Sequence, residues 1–387
     1  MKTIAIGVVG LGRAFSLMAP TFAGDTRVRL VAAADPRAVA RARFAADFAG
    51  RTYAAVEELC ADTAVQAVYV ATPHQHHAAH AIAAAAARKH VLVEKPMALS
   101  LDECAAMNAA ARAQGVHLVV GHSHSFDAPV ALARELIEGG AYGRLRMITA
   151  VNFTDFLYRP RRPEELDTEH GGGVVFNQAA HHVDIARLLG GGRVKTVRAA
   201  TGAWDPARPT EGAYSALLTF EDGAYASLTY SGYAHFDSDE LCDWIGEGGQ
   251  RKDPQAYGAA RRSLSGDEMA LKNARNYGGS LFASAGGTLL HQHFGLLIAS
   301  CERADLRPMP QGVMIYADTE RRLEALAGPK VQRAGVIDEL YAAVVDGKPP
   351  RHDGHWGAAT LEVCLAMLRS SREAREIALQ SQTAWRT

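Results

Sequence analysis

Cysteine is scarce in this chain, and what there is forms no pattern. Cys60, Cys104, Cys242, Cys301 and Cys364 are odd in number, widely spaced and without a C-x-x-C pair. That excludes a disulfide framework and fits reduced thiols in a cytoplasmic protein. An excess of charge of one sign is also missing: 41 Lys and Arg against 42 Asp and Glu leave a net charge of -1. Neither nucleic acid nor an anionic membrane would draw such a chain over any distance. No apolar run approaches the roughly 20 residues that cross a bilayer. The apolar start, Ile4 to Val9, runs straight into Gly10-Leu11-Gly12 without a small-residue cleavage site, so it reads as a first strand rather than a signal peptide. Internal repeats and low-complexity segments are absent. What remains is an ordinary globular composition, 48% apolar and 21% charged over 387 residues. That length suggests two cores, expected over residues 1–122 and 123–387.

The first third alternates strand and helix, the signature of a parallel sheet with crossover helices. Strands are expected at Thr3 to Val9, Val28 to Ala34, Ala67 to Thr72, His90 to Glu94 and Val116 to Gly121. A helix from Leu101 to Gln114 is bounded by a Ser100/Glu103 capping box and Gly115. After the first strand, Gly10 and Gly12 permit a tight turn and a close approach of backbone to a pyrophosphate, with Arg13 and Ala14 opening the next helix. Phe15 stands where a third glycine would allow closer helix–strand packing. Asp35 ends the second strand at the distance expected of a carboxylate that binds both ribose hydroxyls, although Asp35-Pro36 also reads as a plain turn. Its charge favours NAD over NADP, with Arg37 two residues on tempering that preference. Thr72-Pro73-His74 and His77 follow the fourth strand at a ligand-binding edge. Four histidines (His74, His76, His77, His80) lie within seven residues. No carboxylate or cysteine sits at ligand spacing, so a wall of the nicotinamide pocket is expected there rather than a metal site.

Val91-Leu92-Val93-Glu94-Lys95-Pro96 reads as a buried strand stopped by proline, which holds Lys95 extended or in a turn at the strand tip, on a trans or a cis bond. Lys-Pro pairs also mark ordinary loops. Beyond the polar junction His122-Ser123-His124, Pro129 opens a helix that ends at Gly139-Gly140, and longer strands follow. Tyr214 to Phe220 and Tyr225 to Tyr230 flank Glu221-Asp222-Gly223 as a hairpin. Ile148 to Phe156, Leu241 to Ile245 and Val313 to Ala317 are further expected strands. The polar, Gly-rich span 246–300 reads as an insertion or lid. Asn177, His181 and Asp184 stand at i, i+4 and i+7 and would share one helix face. Near a helix N-terminus a neutral His181 could accept a proton, while a hydrogen-bonded structural histidine is the alternative.

Gly10-x-Gly12, Asp35, Thr72-Pro73 with His77, and Glu94-Lys95-Pro96, in that order, resemble the Gfo/Idh/MocA family of nicotinamide-dependent oxidoreductases. The resemblance implies an α/β Rossmann domain followed by an α+β domain with a large open-faced, mostly antiparallel sheet. It implies NAD as cofactor, held by Gly10, Gly12, Arg13, Ala14, Asp35, Arg37, Thr72, Pro73, His74, His77, Glu94 and Lys95. Lys95 would lie beside the nicotinamide and the reacting hydroxyl, with His181 as acid/base. Asn177 stands where the family pattern has aspartate, and Ala179 where it has glycine. Asn177 cannot ionise, but its amide could orient Lys95 or a hydroxyl. Tyr158, Arg159, Arg161 and Arg162 suit carboxylate recognition, though such a run can also be a solvated basic loop. With the His122-to-His124 junction and Asn177, they resemble the branch that oxidises carboxylated aromatic cis-dihydrodiols of phthalate or chlorobenzoate type. Substrate contacts are then expected from His122, His124, Arg159, Arg161 and His182. The expected partners are a small cyclic diol and further copies of the chain, as a dimer or tetramer, with no metal. A sugar or inositol dehydrogenase and a non-catalytic dinucleotide-binding sensor are the alternatives.

Overall fold

The computed structural model describes residues 2–121, 124–264, 266–282 and 290–386. The chain divides into two compact units, Met1–His122 with Met269–Ala285 and Val331–Leu361, and Ser123–Glu268 with Gly286–Lys330 and Glu362–Thr387. Two segments of the stretch expected as a separate second domain therefore belong to the first unit.

In the first unit, strands β1 (Ile4–Val9), β2 (Val28–Ala34), β3 (Arg51–Tyr53), β4 (Ala67–Val70), β5 (His90–Glu94) and β6 (Leu118–Gly121) form one sheet in the order β3-β2-β1-β4-β5-β6. Every pairing is parallel. Such strands are covered on both faces, so they read as continuous apolar runs, and all four residues of β4 are buried. The crossovers are α1 (Arg13–Gly24), α2 (Ala38–Phe48), α3 (Val56–Ala61), α4 (His77–Ala86) and α5 (Leu101–Gln114). The expected capping box starts α5: Ser100 Oγ accepts from Glu103 N–H, and Glu103 Oε2 accepts from Ser100 N–H. Strand order reverses between β1 and β4, which opens a crevice at their carboxyl ends where α/β sheets bind ligands. Gly10 lies there at φ 93°, with a Cβ at its position falling 2.8 Å from Ala71 O.

Phe15 does more than loosen the packing expected of it. It is fully buried and meets the rings of Phe44, Phe48 and Tyr277 at 6.1, 6.3 and 4.9 Å. Tyr277 also donates to Asp47 Oδ2 at 2.6 Å. This is why residues 269–285, expected as part of a lid, belong to the first unit.

The second unit is built on a nine-stranded sheet. Its strands are β7 (Leu145–Phe153), β8 (Val194–Gly202), β9 (Ala213–Phe220), β10 (Tyr225–Ser231), β11 (Leu296–Cys301), β12 (Ala304–Met309), β13 (Gly312–Ala317), β14 (Arg321–Ala325) and β15 (Ile377–Ala378). Their order is β14-β13-β12-β11-β7-β10-β9-β8-β15. Only β7 and β10 pair in parallel, and the hairpin β9–β10 forms as expected. Along β9, alternation buries Tyr214, Ala216, Leu218 and Phe220 while Ser215 and Leu217 face outward. The remaining helices are α6 (Ala128–Glu138), α7 (Ala180–Leu189), α8 (Ala259–Ser263), α9 (Glu268–Arg275), α10 (Ala334–Asp346) and α11 (Gly354–Glu373). No helix among the described residues is long and apolar enough to cross a membrane.

Two expected strands are corrected. The β7 strand ends at Phe153 and a 3-10 turn, Phe156–Tyr158, follows. Leu241 to Ile245 is not a strand: Asp237 caps a 3-10 turn over Ser238–Cys242 by accepting from Asp239 N–H, and only an isolated bridge joins Ile245 to Arg251.

Candidate active-site residues

In the first unit, a Cβ at Gly12 would meet no atom within 4 Å, so the turn before α1 faces open space. The N–H groups of the first turn of α1 point out of that helix end, which suits a pyrophosphate. The expected ribose acceptor, Asp35, is only 5% exposed, and both its oxygens are engaged. Oδ2 accepts from Leu11 N–H at 2.8 Å and Arg37 Nη2 at 3.2 Å. Oδ1 accepts from Arg37 N–H at 2.8 Å and Arg37 Nε at 3.1 Å. The glycine turn and the acid thus form one construction, with the side chain of Arg37 laid across it. Gly10, Gly12 and Asp35 fit a dinucleotide, provided the guanidinium yields.

Lys95 stands at the tip of β5 on a cis bond to Pro96. Glu94 accepts from Tyr69 Oη at 2.6 Å, a strand-to-strand bond from β4 to β5. His77 proves to be interior. It is fully buried, with Nδ1 2.9 Å from Pro96 O and Nε2 2.8 Å from Thr72 O. Burial lowers its pKa against the pull of those two carbonyls. His77 therefore lies between the loop after β4 and the loop carrying Lys95, and its neutral ring donates its one N–H to one of the two carbonyls at a time. Thr72 Oγ1 also meets His80 Nδ1 at 3.1 Å. Among the described residues no group of three or more His, Cys, Asp or Glu side chains is placed to hold a metal ion.

In the second unit, the expected single helix through Asn177, His181 and Asp184 is interrupted. Residues Val175–Ala179 form a π-helical turn before α7, so the α-helical spacing that put Asn177 on the face of His181 does not hold. Asn177 Nδ2 donates to Gly173 O at 2.8 Å and Gly171 O at 3.3 Å. Beneath that turn lies Glu211, which the sequence reading missed. Its Oε1 accepts from Val175 N–H at 3.1 Å, and Oε2 accepts from Thr168 and Thr210 hydroxyls. Burial raises its pKa, against those hydrogen bonds.

His181 is 7% exposed and lies edge-on to His124, with ring centroids 4.7 Å apart, and 4.9 Å from Phe294. His124 is fixed by Asp127 Oδ2 at 2.8 Å from Nδ1. His182, expected among the substrate contacts, faces the sheet instead. Its Nδ1 meets Tyr214 Oη at 2.8 Å, and burial pushes its pKa down to about 3. Tyr230 stacks on Tyr214 and meets Thr154 Oγ1 at 2.6 Å. His122 lies outside the described residues.

The arginine run resolves into three different environments. Arg159 donates to Asp155 Oδ1 at 2.8 Å and Glu247 Oε2 at 3.3 Å. Burial opposes its charge, but the two carboxylates prevail and raise its pKa. Arg161 stacks 3.6 Å from the Phe156 ring centroid and donates to Phe156 O, with its Glu165 partner 4.0 Å away. Burial brings its pKa down to about 10. Arg162 pairs with Glu164 at 2.8 Å. Glu247, bound also to Asn152 Nδ2 at 3.0 Å, was not foreseen. Its sequence signal was a lone acid bracketed by Gly246, Gly248 and Gly249.

Residues 4–122 match the oxidoreductase family with an NAD-binding Rossmann fold, GFO_IDH_MocA, and residues 130–251 match the GFO/IDH/MocA C-terminal domain. The chain is 49% identical over 375 residues to 1-carboxy-3-chloro-3,4-dihydroxycyclohexa-1,5-diene dehydrogenase of Comamonas testosteroni, covering 95% of this chain and 94% of that one. A crystal structure of a Bordetella bronchiseptica RB50 protein described as a dehydrogenase superposes with a TM-score of 0.93 at 44% identity, covering 98% of this chain and 100% of that one. Levoglucosan dehydrogenase in complex with NADH and levoglucosan has a TM-score of 0.72 at 19% identity, covering 97% of this chain and 99% of that one, and shares the fold.

Proposed function

The chain belongs to the Gfo/Idh/MocA oxidoreductases, and we propose that this NAD-dependent dehydrogenase oxidises a ring hydroxyl of a carboxylated cyclic cis-dihydrodiol, of phthalate or chlorobenzoate type, to the corresponding catechol. The observation that carries the reading is the likeness, over 95% of the chain, to a dehydrogenase named for a carboxylated dihydroxycyclohexadiene.

When bound, the nicotinamide supplies the hydride acceptor. The residues of the chain supply position and charge. Lys95 stabilises the alkoxide that develops as the hydroxyl proton leaves. His181 accepts that proton, and its ring is steadied by His124 and Phe294. The resulting ring ketone tautomerises to the catechol, and the gain of aromaticity draws the oxidation forward. Of the two arginines, Arg161 is the better anchor for the ring carboxylate. Its side chain is 9% exposed with its internal carboxylate 4.0 Å away, whereas Arg159 already serves two acids. Leu217, Tyr225, Tyr316 and Leu323 stand exposed on strands of the large sheet, which supports a second copy covering that face. The five free cysteines support a cytoplasmic setting.

Incubation with NAD and a panel of carboxylated and plain dihydrodiols, inositols and sugars, followed by the appearance of NADH, tests the reading. Turnover of carboxylated dihydrodiols is expected to exceed that of every polyol. Preference for a polyol would make this a sugar or inositol dehydrogenase. NAD binding without turnover of any member would make it a dinucleotide sensor.

A further inference from the structure

Glu247 stands in a run of glycines, Gly246-Glu247-Gly248-Gly249, yet its side chain is only 21% exposed. Among the described residues two donors hold it: Asn152 Nδ2 reaches Oε1 at 3.0 Å, and Arg159 Nη2 reaches Oε2 at 3.3 Å. An ionised carboxylate has about four acceptor positions, so each oxygen keeps one for a further donor. Asn152 is fully buried and is itself oriented, because Ser238 Oγ donates to its Oδ1 at 3.0 Å. The carboxylate is fixed in place and keeps a reachable edge.

The packing leads from that acid to His181. Asn152 pairs with Tyr230 across β7 and β10, and Gly295 lies so close that a Cβ on it would fall 2.8 Å from Asn152 Cβ. The residue before it, Phe294, sets its ring 4.9 Å from His181 and 5.0 Å from His124. Burial opposes the charge of Glu247, but Arg159, His124 and Asn152 prevail and lower its pKa. Asp155, Arg159 and Glu247 form a trio of two acids and one cation, which leaves one negative charge over. An ionised carboxylate only accepts hydrogen bonds, so this one takes a hydroxyl and repels a second carboxylate.

We propose that Glu247 is the specificity-determining residue for the non-reacting hydroxyl of the diol, accepting a hydrogen bond from it while the ring carboxylate is turned away towards Arg161. The inference deepens the dihydrodiol reading and rests on it. One hydroxyl enters the oxidation, and its neighbour on the ring needs an acceptor of its own. Arg159 and Arg161 have no acceptor atoms and cannot serve it.

The test compares, with NAD and the full chain, a carboxylated cis-dihydrodiol and the same ring without the non-reacting hydroxyl. The parent should favour the diol at least about tenfold in kcat/KM, the value of a hydrogen bond to a charged group. Glu247→Gln should cut that ratio by about five- to tenfold, mostly through KM for the diol, because a neutral acceptor replaces a charged one. Asp155→Asn, which removes the other acid on Arg159, should leave the ratio within about twofold. A parent that does not distinguish the two rings would overturn the proposal. So would a Glu247→Gln protein that melts like the parent and loses both rings by one factor, since the acid would then only build the loop. Glu247→Asp keeps the charge one methylene short and serves if the amide variant does not fold: it should also cut the ratio, and an unchanged ratio would overturn the proposal. If polyols are oxidised and dihydrodiols are not, the dihydrodiol reading fails, and the same ratio between an inositol and its deoxy analogue settles the role of Glu247. NAD binding without turnover of any ring would end both.

Discussion

His182 ties the helix that carries His181 to the large sheet, and the tie depends on its being uncharged. It is 1% exposed, bonded to Tyr214 Oη, and ringed by Tyr214, Tyr230 and Phe294. Burial brings its pKa to about 3, with the neighbouring His124 pushing the same way and the Phe294 carbonyl and Glu247 opposing. In the unfolded chain the imidazole titrates near 6.5. Above that pH neither state is protonated and the burial is harmless. Between about 6.5 and 3 the unfolded chain binds a proton that the native state refuses, so stability falls as pH falls. From pH 7 to pH 5 this single group should remove about 2 kcal/mol, at 1.36 kcal/mol per unit once protonation of the unfolded chain is nearly complete. His182→Gln keeps a hydrogen-bonding side chain for Tyr214 and removes the titration. Urea unfolding of both proteins at pH 7 and pH 5 should show the parent losing about 2 kcal/mol more than the variant. Equal losses would refute the reasoning, because His182 would then not be the group that charges on unfolding.

Lys95→Met should retain NAD affinity by calorimetry but lower kcat by about 10²–10³, the usual cost of removing one donor to a developing oxyanion. Undiminished turnover would remove Lys95 from the chemistry. Arg161→Met should raise KM for carboxylated dihydrodiols by roughly 10–100-fold and spare uncarboxylated rings. Arg159→Met should affect both rings alike and lower Tm, since Asp155 and Glu247 lose their shared cation. Uniform losses in the Arg161 variant would exclude it as the carboxylate anchor. Gly173→Ala puts a Cβ at φ 75° and 2.1 Å from Glu211 Oε1, which should cost about 2–4 kcal/mol in thermal unfolding. A Tm equal to that of the parent would mean that the turn over Glu211 adjusts freely.

What could be read in the sequence was what local rules determine. The bounds of β2 and β5 match the expected strands because each is a closed apolar run with punctuation at its ends. The capping box of α5 is a bond between neighbours in sequence and was equally plain. Leu241 to Ile245 failed for an equally local reason that competed with its apolar pattern. Asp237 offers the backbone a cap, and Asp243 and Trp244 adopt φ of 56°, which no strand continues through. Tyr277 could not be placed at all from its Gly-rich surroundings. Its position depends on Phe15 and Asp47, more than two hundred residues away. Asp35 is the intermediate case. Its residue type and spacing announced a ribose site, and Arg37 was visible beside it. That the two would be spent on each other depends on side-chain geometry that spacing does not encode.

Asn177 turns on the same distinction between residue type and surroundings. An acid at this position, as in the family pattern, could not donate to Gly171 O and Gly173 O as the amide does. It would also share the turn with Glu211, whose carboxylate lies against the Gly173 position and is already disfavoured by burial. Two carboxylates in so dry a place would raise one another's pKa and loosen the turn. The amide at 177 and the acid at 211 therefore form one arrangement, in which the carboxylate arrives from the loop before β9 and the helix side supplies only donors. Through its amide, Asn177 fastens the turn that precedes α7. Within that helix, the ring of His181 lies against His124 and Phe294, while the neighbouring His182 is committed to Tyr214, which favours His181 as the base of the proposed reaction.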